Sequence, residues 1–353
     1  MGDSPVRLLI GPVDAAAQGY LWAHAVERFL PGVTGVAMQG TRPGPFLVDA
    51  DVRVPTGVYQ RSSAWHSQLE AYLDRQTHII WESALPLLGR RYGSDPLREI
   101  AVLRARGVRG ALMFHGSDIR PPARHAAGSA WSPFHEPTGP VRSLEDSVTA
   151  SSQVAADAGV PVFVSTPDLL EWLPGASWCP VVVDPSRWRE AGAAPTPDRV
   201  LVVAHAPTQR WLKGSDLVEP MLLRLADEGV IDYRRISGVP HDSMPKFYAA
   251  ADVVLDQFRL GSYGVAACEA LAAGKVVMGH IDDSTRQRVR TETGQELPIV
   301  EANVDSLESE LRRVASDPAA FEQVRSAGRA FVDEVHDGRR SADVLAPFLD
   351  LSA

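Results

Sequence analysis

Three short stretches carry residue types whose spacing could do chemistry. The first is 256–275, DQFRLGSYGVAACEALAAGK. Gly261 and Gly264 permit close backbone approach and unusual dihedrals. The run from Val265 predicts a helix whose first N–H groups face back toward the turn. Such an end attracts anions through its unpaired donors and the macrodipole. Glu269 lies one turn in, roughly 6 Å along the axis at ~1.5 Å per residue, and its side chain leans toward the N-terminus. A carboxylate there repels a phosphate but can accept hydrogen bonds from sugar hydroxyls beside it. A tight strand-helix turn with a surface Glu fits the same residues. The second stretch is 204–215, AHAPTQRWLKGS. Arg210 offers a planar fork and Lys213 a point charge, a pair suited to a diphosphate; a solvated loop fits as well. The third is 112–125, LMFHGSDIRPPARH. His115 and Asp118, set after an apolar run, could orient hydroxyls or move a proton, or could be structural. A hydrolase reading of His115-Gly116-Ser117 lacks the G-x-S-x-G elbow.

These stretches need elements that place them. Apolar runs at 6–10, 46–48, 78–81, 110–114, 160–165 and 179–183 predict strands, with helices at 64–75, 96–106 and 143–158 between them. A second series follows: strands at 200–205, 233–236, 253–256 and 275–278, and helices at 216–228, 265–273, 304–316 and 318–335. Alternating strands and helices imply an α/β fold with parallel sheets. The Pro-, Ala- and charge-rich run 184–198 predicts a linker. The expected division is therefore a domain at 1–183, a linker at 184–198, a second domain at 199–339 and a terminal helix at 340–353 that returns toward the first. In such sheets ligands bind beyond the carboxyl ends of the strands, where all three stretches fall.

Composition narrows the class. The chain has 353 residues, 45% hydrophobic and 22% charged, with a net charge of −9. This suits two ordinary globular domains and argues against a coat for nucleic acid. The two cysteines, Cys179 and Cys268, make neither a disulfide framework nor a zinc site. No run approaches 18 apolar residues and the start lacks a signal-peptide core, so a cytoplasmic protein is expected. Asp49-Ala50-Asp51 is an isolated D-x-D without supporting context. Eight arginines between 90 and 124 fit a solvated helix face, or alternatively a face for an anionic acceptor or lipid headgroups at the inner membrane.

Taken together, the motifs resemble glycosyltransferases of the GT-B fold, in particular the retaining family 4, over nearly the whole chain. GVPHDSMPKFYAAADVVLDQF followed by GSYGVAACEALAAGKVV is close to that family's donor-domain signature, RWLKG to its diphosphate loop, and HGSDIR to its N-terminal domain. The resemblance implies two Rossmann-like β/α/β domains facing each other across a cleft, with the acceptor in the N-terminal one and the nucleotide sugar in the C-terminal one. It implies transfer from a nucleoside diphosphate sugar to an acceptor hydroxyl, retaining and metal-independent, without any cofactor and with a glycan, lipid-linked or small-molecule acceptor. Arg210 and Lys213 would bind the diphosphate, together with the backbone at Tyr263, Gly264 and Val265. Glu269 would hold the ribose, Val239 and Pro240 would lie near the nucleobase, and His115 with Asp118 would serve the reacting centre. Gln18 and Gly19 would belong to the loop approaching phosphate and acceptor. The family's first glutamate is replaced by Gly261. That departure supports an alternative, a non-catalytic GT-B-like subunit that binds nucleotide sugar or stabilises an active partner; Asp256-Gln257 with Gly261-Ser262-Tyr263-Gly264 resembles an active subgroup instead. An oxidoreductase lacks its G-x-G-x-x-G.

Overall fold

A computed structural model of the chain describes residues 6–13, 15–41, 48–136, 138–189 and 200–351. The chain divides into two compact units.

The first unit comprises Met1–Pro121, Gly139–Val182 and Gly338–Ala353. Its strands are β1 (Val6–Gly11), β2 (Val33–Thr41), β3 (Val52–Pro55), β4 (His78–Glu82), β5 (Arg109–Phe114), β6 (Val162–Val164) and β7 (Ser177–Trp178). They form one parallel sheet in the order β3-β2-β1-β4-β5-β6-β7. Leu8, Ile10, Ile80, Ala111 and Met113 on this sheet bury against Trp22 and Val26 of the helix Gln18–Phe29. Ala342, Leu345 and Leu349 from the end of the chain join the same core. The helix Arg339–Leu345 stops well short of the 340–353 expected.

β2 went unread in the sequence because Gly35 and Gly40 dilute its pattern. Gly35 has a packing reason: a Cβ there would stand 2.1 Å from the carbonyl oxygen of Ala23, so only glycine lets the first helix lie this close to the strand. The expected strand at 46–48 lies mostly outside the described residues.

The second unit comprises Pro122–Thr138 and Val183–Asp337. Its strands are β8 (Leu201–His205), β9 (Ile231–Arg235), β10 (Val253–Leu255), β11 (Val276–Gly279) and β12 (Val300–Glu301), all parallel, in the order β12-β11-β10-β8-β9. Leu201, Val203, Leu255 and Val276 pack on Val218 and Leu222 of one helix and on Leu307 and Leu311 of another.

Two segments fall differently from the sequence expectation. Residues 122–138 sit in the second unit, where Arg259 donates from Nε to Trp131 O at 2.9 Å and from Nη2 to Ser132 O at 2.7 Å. The front of the expected linker is a helix, Pro185–Arg189. It buries Trp188 against Tyr248, with ring centroids 5.4 Å apart. The remainder, 190–198, lies outside the described residues. Among the described residues no helix is long and apolar enough to cross a membrane. Of the arginines between 90 and 124, Arg91 and Arg106 pair with Glu70, Arg109 with Asp350 and Arg120 with Asp168.

Candidate functional site

In the second sheet the chain reverses its winding between β8 and β10, which are neighbours although β9 separates them in sequence. That is the topological switch point, where the loops leaving two adjacent strands part and open a crevice. The loop after β8 carries Arg210 and Lys213; the loop after β10 carries 256–264. His205 ends β8 fully buried, and burial pushes its imidazole down to about 4, so it is neutral. Its Nδ1 donates to Leu255 O at 2.9 Å, and its Nε2 accepts from the Ser215 hydroxyl at 2.8 Å. One histidine thereby ties the ends of both strands to the helix Ser215–Asp227.

Both cations have carboxylate partners. Lys213 Nζ donates to Asp256 Oδ1 at 2.8 Å. Arg210 donates from Nε and Nη2 to Asp216 at 3.0 and 2.5 Å, and from Nη2 to Glu219 at 2.7 Å. These bonds hold its guanidinium well above its usual range, so it stays charged. Arg210 Nη1 and the remaining Lys213 protons are the donors left for an incoming anion.

Gln257 organises the loop after β10. Its Nε2 donates to Ser262 O and, at 2.7 Å, to His280 O. Its Oε1 accepts from the N–H groups of Arg259 at 3.0 Å and Leu260 at 2.6 Å. Every hydrogen-bonding position of the amide is used, at 4% exposure. Gly261 has φ +64°, and a Cβ there would fall 1.8 Å from Asp282 Oδ2. A side chain at 261 would be strained at this φ and would require the Asp282 carboxylate to move. Gly264 precedes the helix Val265–Ala272, and a Cβ on it would meet nothing within 4 Å, so the approach to the helix start is open. The Tyr263 side chain turns inward, its hydroxyl 3.3 Å from His336 Nε2. Only its backbone is offered to a ligand.

Glu269 is 6% exposed, and burial raises its carboxyl against the lowering effect of His241. His241 Nε2 lies 2.6 Å from Glu269 Oε1. Because Val239 and Pro240 lead directly into the 3₁₀ turn His241–Ser243, this bond brings the expected nucleobase loop and the expected ribose residue together. His241 was not read as a site residue; a histidine directly after that Val-Pro was the available signal.

His280 stands between Asp282 at 3.3 Å and Glu301 at 2.8 Å, which push it up to about 9. Its folded value lies above the free value of about 6.5. The resulting stabilisation is complete below pH 6.5 and is lost as the pH rises through about 9. His280→Ala should therefore cost more stability at pH 6 than at pH 10 by denaturant unfolding; equal losses would show that the charge contributes nothing.

In the first sheet the winding reverses between β1 and β4, and its candidates cluster there. His115 follows β5. Its Nε2 lies 3.1 Å from Oε1 of Glu82, the last residue of β4. Both atoms are shut off from solvent and neither makes a hydrogen bond of good geometry. Burial pulls His115 down, but Glu82 and then Asp118 outweigh it, so its imidazole is raised. The ring stacks on Trp22 at 5.7 Å and 14°. Asp118 takes a different place from the one its type suggested. Its carboxylate accepts the N–H groups of His115 at 3.0 Å and Gly116 at 2.8 Å and the Ser83 hydroxyl at 2.6 Å. It holds the turn. Glu82, a charged residue closing an otherwise apolar strand, is the carboxylate that faces the imidazole, and sequence reasoning missed it. Ser83 and Ala84, next in the chain, have φ of +54° and +53°, a strained turn of the kind found at functional sites.

Gln18 is anchored rather than presented: Oε1 accepts from Val182 N at 2.6 Å, and Nε2 donates to Val182 O at 3.0 Å. Gly19 lies against Glu82, whose Oε2 would be 3.2 Å from a Cβ at 19. Asp51 of the D-x-D accepts from Ala37 N at 2.8 Å and lies 3.1 Å from His24 Nε2, structural contacts both.

Two parallel α/β sheets, each with its polar residues gathered at the switch point, define a class rather than a single protein. No protein family matches the chain, and no curated protein does. Solved structures match it along nearly its whole length. Sucrose-phosphate synthase from Thermosynechococcus elongatus shares 12% identity at a TM-score of 0.59, covering 95% of this chain and 96% of that one. HepE of Anabaena, in complex with UDP-glucose, shares 12% at 0.58, covering 98% and 99%. An alpha-glucosyltransferase in complex with UDP and DNA shares 9% at 0.60, covering 99% and 100%. The fold is that of the GT-B glycosyltransferases.

Proposed function

We propose that the chain is a glycosyltransferase that moves a sugar from a nucleoside diphosphate sugar to an acceptor hydroxyl. The observation that carries this is the second unit's switch point. There Arg210 and Lys213 follow β8, while the open start of the helix Val265–Ala272 and the buried Glu269 within that helix follow the adjacent strand β10. A diphosphate needs cations and N–H donors, and a ribose beside it needs an acceptor. HepE, which shares the fold, binds UDP-glucose, and the same chemistry suits this site.

In this reading Arg210 and Lys213 oppose the charge that builds on the leaving phosphate, with the backbone N–H groups at Gly264 and Val265. They interact more strongly as that charge grows, which is what lowers a barrier. His115, whose imidazole is raised by the neighbouring Glu82, donates a hydrogen bond to the reacting sugar. Because protein cations meet the leaving group, the reaction needs no metal. The family resemblance supports retention of configuration.

The test is donor hydrolysis or sugar transfer, followed over a panel of nucleoside diphosphate sugars with EDTA or with magnesium. Full activity in EDTA is expected. Activity that dies in EDTA and returns with magnesium or manganese would contradict the cation-loop account. The non-catalytic reading draws its support from Gly261, which stands where the resembled family carries its first glutamate. It predicts binding of a nucleotide sugar with no turnover against water or any acceptor.

A further inference from the structure

Glu269 has company that the donor-site reading leaves unused. Its buried carboxylate is bonded through Oε1 to His241 Nε2 at 2.6 Å. A carboxylate oxygen accepts, so the imidazole donates here. The histidine is itself braced. Its ring stands edge-on to Trp188 at 5.9 Å and 62°, and Trp188 is 2% exposed. Asp242, the next residue, is paired with Arg187 at 2.8 Å. An unpartnered carboxylate at this burial would take up a proton and become a donor as well as a weaker acceptor. The bond from His241 opposes that and occupies one oxygen. Oε2 makes no hydrogen bond among the described residues and is the acceptor left over.

We propose that His241 is a positioning and specificity-determining residue: by fixing Glu269 with one oxygen taken and the other available, it makes the site select nucleotides that carry vicinal ribose hydroxyls over deoxyribose ones. The inference rests on the nucleotide-site reading. It differs from a purely structural role for His241, which would weaken all ligands alike. Loss of a hydrogen bond to a charged acceptor weakens binding by roughly tenfold or more, and that loss should fall on the ribose hydroxyls alone.

The experiment is titration calorimetry on the full chain with UDP, GDP and ADP, each beside its 2′-deoxy and 3′-deoxy form. The wild type is expected to favour at least one ribonucleotide by roughly tenfold or more over its deoxy forms. In His241→Leu the ribonucleotide should weaken until the preference shrinks to about threefold or less, while the deoxy forms keep their affinity. His241→Gln, which retains an N–H donor of similar reach, should recover most of the preference and guards against a Leu variant that fails to fold. An undiminished preference in His241→Leu would overturn the inference, and so would equal weakening of ribo and deoxy ligands. A wild type that binds a nucleoside diphosphate without preferring ribose overturns it too, while leaving the diphosphate site standing. A wild type that binds none of the three overturns the donor-site reading and this inference together.

Discussion

Lys213→Ala should lose roughly 10²–10³ in kcat/KM, the scale of removing one preorganised donor from a developing anion, and it should lose stability at the same time. The second loss is what distinguishes it. Lys213 is the partner of Asp256, which is 4% exposed and whose Oδ2 has no hydrogen bond. Removing the ammonium strands a buried carboxylate, a change that costs about 3–5 kcal/mol. Arg210→Ala should lose activity on the same scale with little change in stability. Its side chain is 35% exposed and its carboxylate partners Asp216 and Glu219 are wetter than Asp256, so breaking those pairs costs about 1 kcal/mol or less. The double variant should lose less activity than the product of the two, since both cations act on one charged group. Donor hydrolysis and urea unfolding on the same preparations measure both quantities. A folded Lys213→Ala with wild-type kcat/KM would remove the lysine from the reaction. Adding Asp256→Asn to Lys213→Ala should return stability but not rate.

The second large effect belongs to His115 and Glu82. His115→Ala should lower kcat by roughly 10²-fold or more and leave nucleoside diphosphate affinity within about threefold. Glu82→Gln tests how the charge is held. With the Glu82 carboxyl beside it, the imidazole is raised against its own burial. With an amide in its place, burial prevails and the value falls. If the charged imidazole is the working form, the alkaline limb of the pH–kcat profile should move to lower pH in Glu82→Gln while nucleotide affinity holds. An unmoved limb would show that the imidazole charge plays no part. Asp118→Asn should act differently, because Asp118 bonds the backbone of the turn rather than the ring. Its expected effect is on stability and on kcat together, without a shifted limb.

The sheet architecture was legible because buried parallel strands are continuous apolar runs and the loops after them are short and polar. Thus β4, β5 and β10 stand out in the sequence. β2 does not, because its glycines answer to the packing of the first helix. The cations and Glu269 were legible by type and by their place after strands. Their partners were not: Asp256 meets Lys213 across 43 residues, Glu82 meets His115 across 33 and His241 meets Glu269 across 28. Such pairs exist only once the folded sheets bring segments distant in sequence to one edge. Gly261 shows the same limit. Its sequence neighbours offer no reason for glycine, whereas the folded chain gives it a φ of +64° and packs the Asp282 carboxylate against it.

The most direct measurement of the central claim is titration calorimetry of the wild-type chain and of Glu269→Ala with UDP, GDP and ADP in EDTA. The account predicts one site per chain for at least one of these nucleotides. It also predicts that Glu269→Ala, still folded, binds that nucleotide more weakly by about 1.5–3 kcal/mol, the worth of hydrogen bonds to a charged acceptor. No binding by the wild type, or equal affinity in the two proteins, would contradict it.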